Sequence, residues 1–326
     1  IMDCTNKEKL KVIYGDAALG IGGCKEGKEF HYIFSYSAGG MESLYAEGKE
    51  WLYSVPKPTF WRAATDNDRG NKFCQKSGMW IAADLFINCV DILLKIDGKE
   101  IPLPVMGHNN QYSEDERAGE IEITYIYETV INPPVRVQVT YQVKAGGRIF
   151  ISVYYNGRKG LPQLPVFGMR FIMPTCADKY VYEGLSGETY PDRKAGGIEG
   201  IYEVEGLPVT PYLRPQDCGM HMDTKWVQVY RRRQLSNCKK DEKQTCIRFE
   251  MGKLGFSCLP YTACELENAD HQEELPPRRR TVMCIYGAVR GVGGIDSWGA
   301  DVEPTYHVDA EKDMNFSFCI VPFANI

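Results

Sequence analysis

The stretch Val135-Arg-Val-Gln-Val-Thr-Tyr-Gln-Val-Lys144 alternates apolar and polar residues without interruption. Successive side chains of a β-strand point to opposite faces, so this pattern predicts a strand with one buried face. The preceding stretch Ile121-Glu-Ile-Thr-Tyr-Ile-Tyr-Glu128 has nearly the same pattern, and Asn132-Pro133-Pro134 separates the two. Together they predict adjacent antiparallel strands that cover one side of a core.

Similar runs continue on both sides of this pair. The glycines at 146 and 147 predict a hairpin turn, and a further strand is predicted after a proline-containing linker. The apolar positions of these strands are Ile149, Ile151, Val153 and Tyr155, then Phe167, Met169, Phe171 and Met173, and nearer the start Leu10, Val12 and Tyr14, then Phe30, Tyr32 and Phe34. Many strands without intervening helices predict an all-β sandwich of large antiparallel sheets.

We expect one domain over residues 1–326, with residues 1–20 as a linker or as a first strand from a preceding domain. The best helical candidate is Lys76 to Val90, although its mixed apolar spacing also fits a loop with one helical turn. Because the chain starts with Ile1 rather than Met, we also expect it to be a fragment of a longer protein.

Composition excludes several classes of function. The chain has 326 residues, 44% of them hydrophobic and 25% charged, as is typical of a globular protein. A net charge of -5 leaves no basic field for nucleic acid, and Arg231-Arg232-Arg233 is too short a run to supply one. Since no apolar run approaches the roughly 20 residues that span a bilayer, we expect no membrane segment.

The twelve cysteines are scattered, with no Cys-x-x-Cys pair and no histidine at zinc-finger spacing. We therefore predict no metal site and mainly reduced, buried thiols, since free cysteine packs as a small apolar residue. Such cysteines favour a reducing compartment, the cytoplasm, with the periplasm as the alternative because the start of the chain is missing.

Four stretches carry residues suited to a functional site. The first, Thr59-Phe-Trp-Arg-Ala-Ala-Thr-Asp-Asn-Asp-Arg-Gly70, contains Trp61, Arg62 and the triplet Asp66-Asn67-Asp68. Asp, Asn and Gly favour turns, so we predict a rigid polar loop that is neither strand nor helix. It is either a structural corner or the wall of a sugar site.

The second and third stretches offer acids beside aromatic residues. Tyr182 to Arg193 contains Glu188, Asp192 and Arg193, which can bind sugar hydroxyls by charge-assisted hydrogen bonds or tie the loop to its own sheet. Arg214 to Trp226 contains Asp217, His221 and Asp223, so a neighbouring carboxylate could orient the histidine.

The fourth stretch, Phe256 to Gly299, is the longest. Thr262 and Glu265 are spaced as a capping box and predict a short helix. Gly291-Val-Gly-Gly-Ile-Asp-Ser-Trp-Gly299 follows, and we interpret its glycines as a tight structural crossing beneath Trp298. It lacks the lysine and helix of a phosphate-binding loop.

In this order, the four stretches resemble motifs of the small-chain, C-terminal fifth domain of glycoside hydrolase family 2 β-galactosidases. The first resembles Arg-Ala-Pro-x-Asp-Asn-Asp-x-Gly with Ala64 in place of proline, and the last resembles Gly-x-Gly-Gly-x-Asp-Ser-Trp-Gly. The second lacks the family's Gly-x-Gly-Pro turn, and the third has Asp217 for Glu and Lys225 for Arg. In some family members a tryptophan reaches the active site from a loop that we align with Tyr230 to Gln244, which has no tryptophan here.

The resemblance implies a supersandwich similar to galactose mutarotase, at the end of a retaining β-galactosidase. The catalytic carboxyl pair would lie in the barrel domain, which this chain does not encode. The chain is then inactive alone, completes or borders a galactoside site, and has the remaining domains as partners in a homo-oligomeric parent. No cofactor is expected here, and any divalent or monovalent cation serves the parent enzyme. The implied rim residues are Glu188, Asp217, His221, Asp223 and Trp226, and the implied loop scaffold is Trp61, Arg62, Asp66, Asn67, Asp68, Asp192, Arg193 and Trp298.

Two alternatives remain at this point. A free-standing sugar epimerase would use His221 with Glu188 or Asp217 as an acid/base pair facing one pocket. A noncatalytic carbohydrate-binding or assembly module would need neither.

Overall fold

The computed structural model describes residues 9–103, 116–235 and 243–324. Its first strands are β1 (Leu10–Tyr14), β2 (Ala18–Lys25), β3 (Lys28–Ser35), β4 (Gly40–Ala46), β5 (Lys49–Glu50), β6 (Lys57–Thr59), β7 (Asn88–Ile96), β8 (Lys99–Ile101) and β9 (Arg117–Ala118). The remaining strands are β10 (Glu120–Glu128), β11 (Arg136–Lys144), β12 (Ile149–Tyr155), β13 (Val166–Met173), β14 (Lys179–Leu185), β15 (Glu199–Glu205), β16 (Met220–Arg231), β17 (Thr245–Leu259), β18 (Thr281–Val289) and β19 (Met314–Val321).

The described strands form two sheets. The six-stranded sheet has the order β5-β4-β3-β2-β1-β9, and the 13-stranded sheet has the order β15-β14-β16-β17-β19-β12-β11-β10-β7-β8. Off this path, β13 pairs with β18 and β6, and β18 also pairs with β17. The paired strands named here run antiparallel, which confirms the predicted all-β class.

The alternating stretches form the centre of the large sheet, as predicted. β10 pairs with β11 in a register that places Ile121 opposite Val143 and Tyr125 opposite Val139. The side chains of these four residues are fully buried. They face the other sheet, since the rings of Phe34 on β3 and Tyr141 on β11 meet at 5.4 Å between centroids. One hydrophobic core therefore lies between the two sheets.

The short helical elements differ from the prediction. They are α1 (Asp66–Gly70), α2 (Phe73–Lys76) and α3 (Ala263–Asn268), with 3-10 turns at Gly78–Trp80, Gln272–Glu274 and Pro304–Tyr306. A helix over Lys76 to Val90 is wrong, because α2 ends at Lys76, only a 3-10 turn follows at Gly78–Trp80, and β7 begins at Asn88. The alternative, a loop with a single turn, is what forms there.

The predicted capping box at Thr262 is confirmed, since its side chain accepts from the Glu265 amide and Glu265 accepts in return. The prediction that 66–70 is not helical is wrong, because Thr65 and Asp68 form the same reciprocal box and start α1. An aspartate at this position can serve as the acidic member of the box and, because it lies at a helix N-terminus, also interacts favourably with the helix dipole.

The N-terminal part beyond residue 8 belongs to the fold, since β1 pairs with both β2 and β9. The ten cysteines in the described ranges are free thiols, as predicted for them. Cys4 and Cys238 lie outside those ranges. Within the same ranges, no helix has the length and apolar character needed to cross a bilayer.

Candidate functional site

The first motif is organised by a buried ion pair. The Arg62 guanidinium donates to the Asp68 carboxylate at 2.6 Å, and each side chain is 1% exposed. Arg290 donates to the same carboxylate at 3.4 Å and also pairs with Asp301. Burial would raise the pKa of Asp68, but the charge of Arg62 and the hydrogen bonds from Arg62 and Thr65 hold it below its ordinary value. Asp68 is therefore ionised and joins α1 to the segment that begins at Arg290.

The second and fourth motifs meet at the same place. The Asp192 carboxylate accepts from the backbone amides of Val292 at 3.0 Å and Gly293 at 2.8 Å. Arg193 donates to the Gly293 carbonyl, and the Asn67 amide donates to the Val292 carbonyl at 2.9 Å. The glycine-rich loop is thus hydrogen-bonded both to the second motif, through Asp192 and Arg193, and to α1, through Asn67.

The third motif closes the arrangement. The Gln216 side-chain oxygen accepts from the Asp66 amide at 2.9 Å, and its nitrogen donates to the Asp66 carboxylate at 3.3 Å. Arg69 donates to the Pro215 carbonyl at 3.3 Å. We call this meeting of the four sequence motifs the motif junction and define it by Arg62, Asp66, Asn67, Asp68, Asp192, Gln216 and Gly291 to Gly293. The side chain of Glu267 on α3 also accepts from the Trp61 indole at 3.3 Å.

Asp217 lies inside the protein rather than on a rim. Its side chain is 9% exposed and accepts from the Tyr190 hydroxyl at 2.7 Å. Burial raises the pKa of Asp217 to about 7, although the charge of Arg62 and the Tyr190 hydrogen bond oppose the shift. Glu188, on the same side, is exposed and accepts from the Thr210 hydroxyl at 3.2 Å.

The sequence suggested that Asp217 or Asp223 could orient His221. The structure shows neither contact. The His221 ring is 5% exposed, stacks on Phe256 with centroids 4.8 Å apart and lies 3.2 Å from the Tyr180 hydroxyl. Burial lowers the pKa of His221 to about 4, so the ring is neutral at physiological pH. This histidine belongs to the core and does not line a rim.

Asp223 and Trp226 have partners away from the motif junction. Asp223 has a left-handed backbone, with φ of 53°, and accepts from Lys194 at 2.7 Å. The Trp226 indole donates to Glu183 on β14 at 2.7 Å, and the Arg248 guanidinium lies 4.0 Å from the indole centroid. The two Trp226 contacts run across neighbouring strands, so the structure does not bring Trp226 to the junction.

Trp298 differs most from the prediction. Its side chain is 89% exposed and does not cover the glycines as a scaffold residue would. The Asp296 carboxylate accepts from the amides of Trp298 and Ala300, which fixes the turn that presents the indole. Gly299 follows in the left-handed region, with φ of 82°, where an added Cβ would lie 2.9 Å from the Gly70 carbonyl oxygen. A rigid turn packed on α1 therefore holds an exposed tryptophan.

The sequence did contain a pattern that indicates the exposure of Trp298, but the interpretation of the neighbouring glycines as a structural crossing did not use it. An aspartate followed by Ser-Trp-Gly is typical of a turn in which the aspartate accepts backbone amides, and a turn exposes the side chains at its tip. The segment Tyr230 to Gln244, considered above for an active-site tryptophan, lies partly outside the described residues. Among the described residues, no group of three or more metal-ligating side chains is assembled.

Comparison with known proteins gives consistent matches. The sequence model of the β-galactosidase small-chain family matches residues 26–320. The β-galactosidase small subunit of Latilactobacillus sakei is 58% identical over 316 residues, which cover 96% of this chain and 98% of that one. The β-galactosidase of Streptococcus thermophilus is 31% identical over 320 residues, which cover 97% of this chain but only 28% of that protein. The chain therefore spans about a quarter of the length of that relative.

Among solved structures, a galactose mutarotase-like protein from Lactobacillus casei ATCC 334 aligns with a TM-score of 0.39 and 10% identity. The alignment covers 92% of this chain and 99% of that protein.

Proposed function

Because the chain belongs to the family of β-galactosidase small chains, we propose that it is the small subunit of a β-galactosidase that hydrolyses terminal β-D-galactosides. A separate large chain supplies the rest of the enzyme, which assembles as a larger oligomer. Any cation is bound by the large chain, and the scattered free cysteines favour the cytoplasm as its location.

The small chain completes the galactoside site without supplying the catalytic carboxyl pair. A retaining glycosidase needs two carboxyl groups about 5 Å apart, and the family resemblance assigns both to a barrel of parallel strands. The antiparallel sheets described here are not such a barrel. The exposed Glu188 and the half-buried Asp223 remain candidates for the rim of the assembled site, whereas Asp217 is buried and hydrogen-bonded to Tyr190.

One observation carries this role: Trp298 presents a nearly free indole beside the motif junction. The indoles of Trp51, Trp61 and Trp80 are at most 3% exposed, and that of Trp226 is hydrogen-bonded. Exposing an aromatic side chain of this size to water forgoes the free energy of its burial. A rigid indole offers a flat apolar face on which the C–H face of a galactoside can stack. We therefore assign Trp298 to the substrate site of the assembled enzyme.

The test uses the small chain assembled with its large chain. We expect Trp298→Ala to lower kcat/KM for lactose about tenfold, which corresponds to roughly 1.4 kcal/mol, and Trp298→Phe to lower it less. Leu213→Ala is the matched control, because Leu213 is 93% exposed on a different loop. Complexes with unchanged kcat/KM would refute the role of Trp298. If the parent chains together showed no galactosidase activity, the proposed function itself would be wrong.

The structure gives little support to a free-standing epimerase. That alternative requires His221 to exchange protons in a pocket with a carboxylate. The ring instead packs between Phe256 and Tyr182, with centroids 4.8 and 4.5 Å away, and is nearly unexposed. A substrate cannot reach it without opening the core.

A further inference from the structure

The segment 79–86 exposes an unusual number of large apolar side chains. Met79 and Ile81 are each 42% exposed, Leu85 is 56% exposed and Phe86 is 65% exposed. Single exposed apolar residues are common on protein surfaces, but several within eight residues mark a surface that another molecule covers.

This segment is held in place by its other residues. Trp80 is fully buried, its indole donates to the Pro162 carbonyl at 3.1 Å, and its ring lies 5.6 Å from that of Phe60. Asp84 is 4% exposed and forms an ion pair with Arg170 on β13. Buried anchors thus alternate with the exposed apolar side chains. The exposure results from a fixed backbone rather than from a loose loop.

Two more exposed apolar residues lie at the same end of the large sheet. β7 and β10 pair through Asn88 and Glu128 at their ends. Phe86 lies two residues before this pair and Val130, 57% exposed, lies two residues after it. Val90, 49% exposed, follows on β7. We call Met79, Ile81, Leu85, Phe86, Val90 and Val130 the apolar corner.

We propose that the apolar corner is a docking surface for the large chain of the β-galactosidase. This inference rests on the proposed function, which supplies the partner. The residues matched here make up 28% of the Streptococcus thermophilus enzyme, so nearly three-quarters of that polypeptide has no counterpart in this chain. A chain separated from a partner of that size must keep on its surface the contacts that would otherwise lie within one polypeptide.

The position of the apolar corner agrees with this occupant. The segment follows α1 and α2 directly, and the Arg290 guanidinium of the ion-pair network lies 3.9 Å from the ring centroid of Phe73 on α2. α1 also contacts Gly299, next to Trp298. A large chain seated on the corner would therefore bind next to the elements that hold Trp298. A second copy of the small chain would have no such reason to dock there.

The experiment co-expresses the small chain with its large chain and measures the Kd of the purified pair. We expect the double variant Leu85→Ser/Phe86→Ser to raise Kd at least tenfold while its melting temperature stays close to that of the parent. The matched control is Ile198→Ser/Ile201→Ser, whose residues are 69% and 66% exposed at the far edge of the same sheet. This control should leave Kd unchanged.

Equal Kd values for the two double variants would overturn the inference, while an intact, active parent complex would leave the proposed function standing. If the parent chains formed no complex, the proposed function would fail first. Sedimentation of the small chain alone provides a further check. Self-association that Leu85→Ser/Phe86→Ser abolishes, together with unchanged binding of the large chain, would assign the corner to a second copy and overturn the inference.

Discussion

The Arg62 guanidinium and the Asp68 carboxylate face each other at 2.6 Å in a region where each side chain is 1% exposed. Asp68 also receives Arg290, so one acid neutralises part of two buried positive charges. Removing charges from water is costly, and a buried pair is weak evidence of a gain in stability. Its evident structural effect is to fix α1 against the glycine-rich loop, and with it the turn that carries Trp298.

The first prediction concerns this network. Asp68→Ala should lower the free energy of unfolding by about 3–5 kcal/mol, because it leaves buried arginines without their counter-charge. Glu128→Ala removes an exposed pair with Arg136 and should cost at most about 1 kcal/mol. Urea unfolding measures both. Since the folded pKa of Asp68 is lowered, its contribution is present above the pKa of the unfolded chain and is lost as pH falls through the folded pKa. Equal losses in the two variants would contradict this account.

The second prediction concerns Asp217, whose pKa burial raises to about 7. Between about pH 4 and pH 7 the unfolded chain has released this proton and the folded chain retains it. The folded state then binds more protons, so stability falls as pH rises through this window, by a total on the order of 4 kcal/mol. Asp217→Asn should remove this part of the slope. Unfolding free energies of parent and variant at pH 5 and pH 8 provide the measurement, and parallel profiles would show that Asp217 does not titrate in this way.

The third prediction concerns His221, for which stability changes with pH in the opposite direction. Burial lowers the pKa of His221 to about 4, so between that pH and the usual value near 6.5 only the unfolded chain is protonated. Stability therefore rises with pH through this window, by roughly 3 kcal/mol in total. His221→Phe keeps a ring against Phe256 and should flatten the rise. If parent and variant lost stability equally on acidification from pH 6.5 to pH 4.5, the histidine would not be the cause.

The sequence predicted the strands well because their pattern is local. Ile121 to Glu128 and Val135 to Lys144 each record, residue by residue, which face is buried, and the structure buries those faces. The helix predicted over Lys76 to Val90 failed because Trp80 and Asp84 are buried while Leu85 and Phe86 are exposed. Hydrophobicity does not separate the two kinds of position there.

The site was predictable as a set of motifs but not as an arrangement. Asp192 and Gly293 are 101 residues apart and meet only in the folded chain. The degree of burial separates the other candidates: His221 is buried and neutral, whereas Trp298 is exposed. Such differences depend on which segments pack above a residue, which the residue's own neighbours in sequence do not specify.

The fourth prediction tests the turn beside α1. Gly299→Ala places a methyl group 2.9 Å from the Gly70 carbonyl oxygen in a left-handed backbone, whereas Gly48→Ala has a similar φ and nothing within 4 Å. Both variants lose about 1 kcal/mol through the backbone, and Gly299→Ala should lose at least about 1 kcal/mol more through the close contact. With the large chain bound, Gly299→Ala should also lower kcat/KM by shifting Trp298. If Gly299→Ala and Gly48→Ala had the same stability and the same activity, the close contact would be relieved without moving the turn.

The last prediction is that the purified chain alone does not hydrolyse β-galactosides. Glycoside hydrolysis needs a general acid and a nucleophile across one glycosidic bond. Near the motif junction, Asp66 is bonded to Arg69, Asp68 to Arg62, Asp192 to backbone amides and Asp217 to Tyr190, so each of these four carboxylates already has a partner. Turnover of a chromogenic β-galactoside should appear only when the large chain is added, and it should fall when Trp298 is replaced by alanine. The outcome that would contradict this prediction is turnover that stays with the small chain through repurification, even when the chain is expressed in a galactosidase-deficient host. It would mean that this chain contains a complete catalytic site.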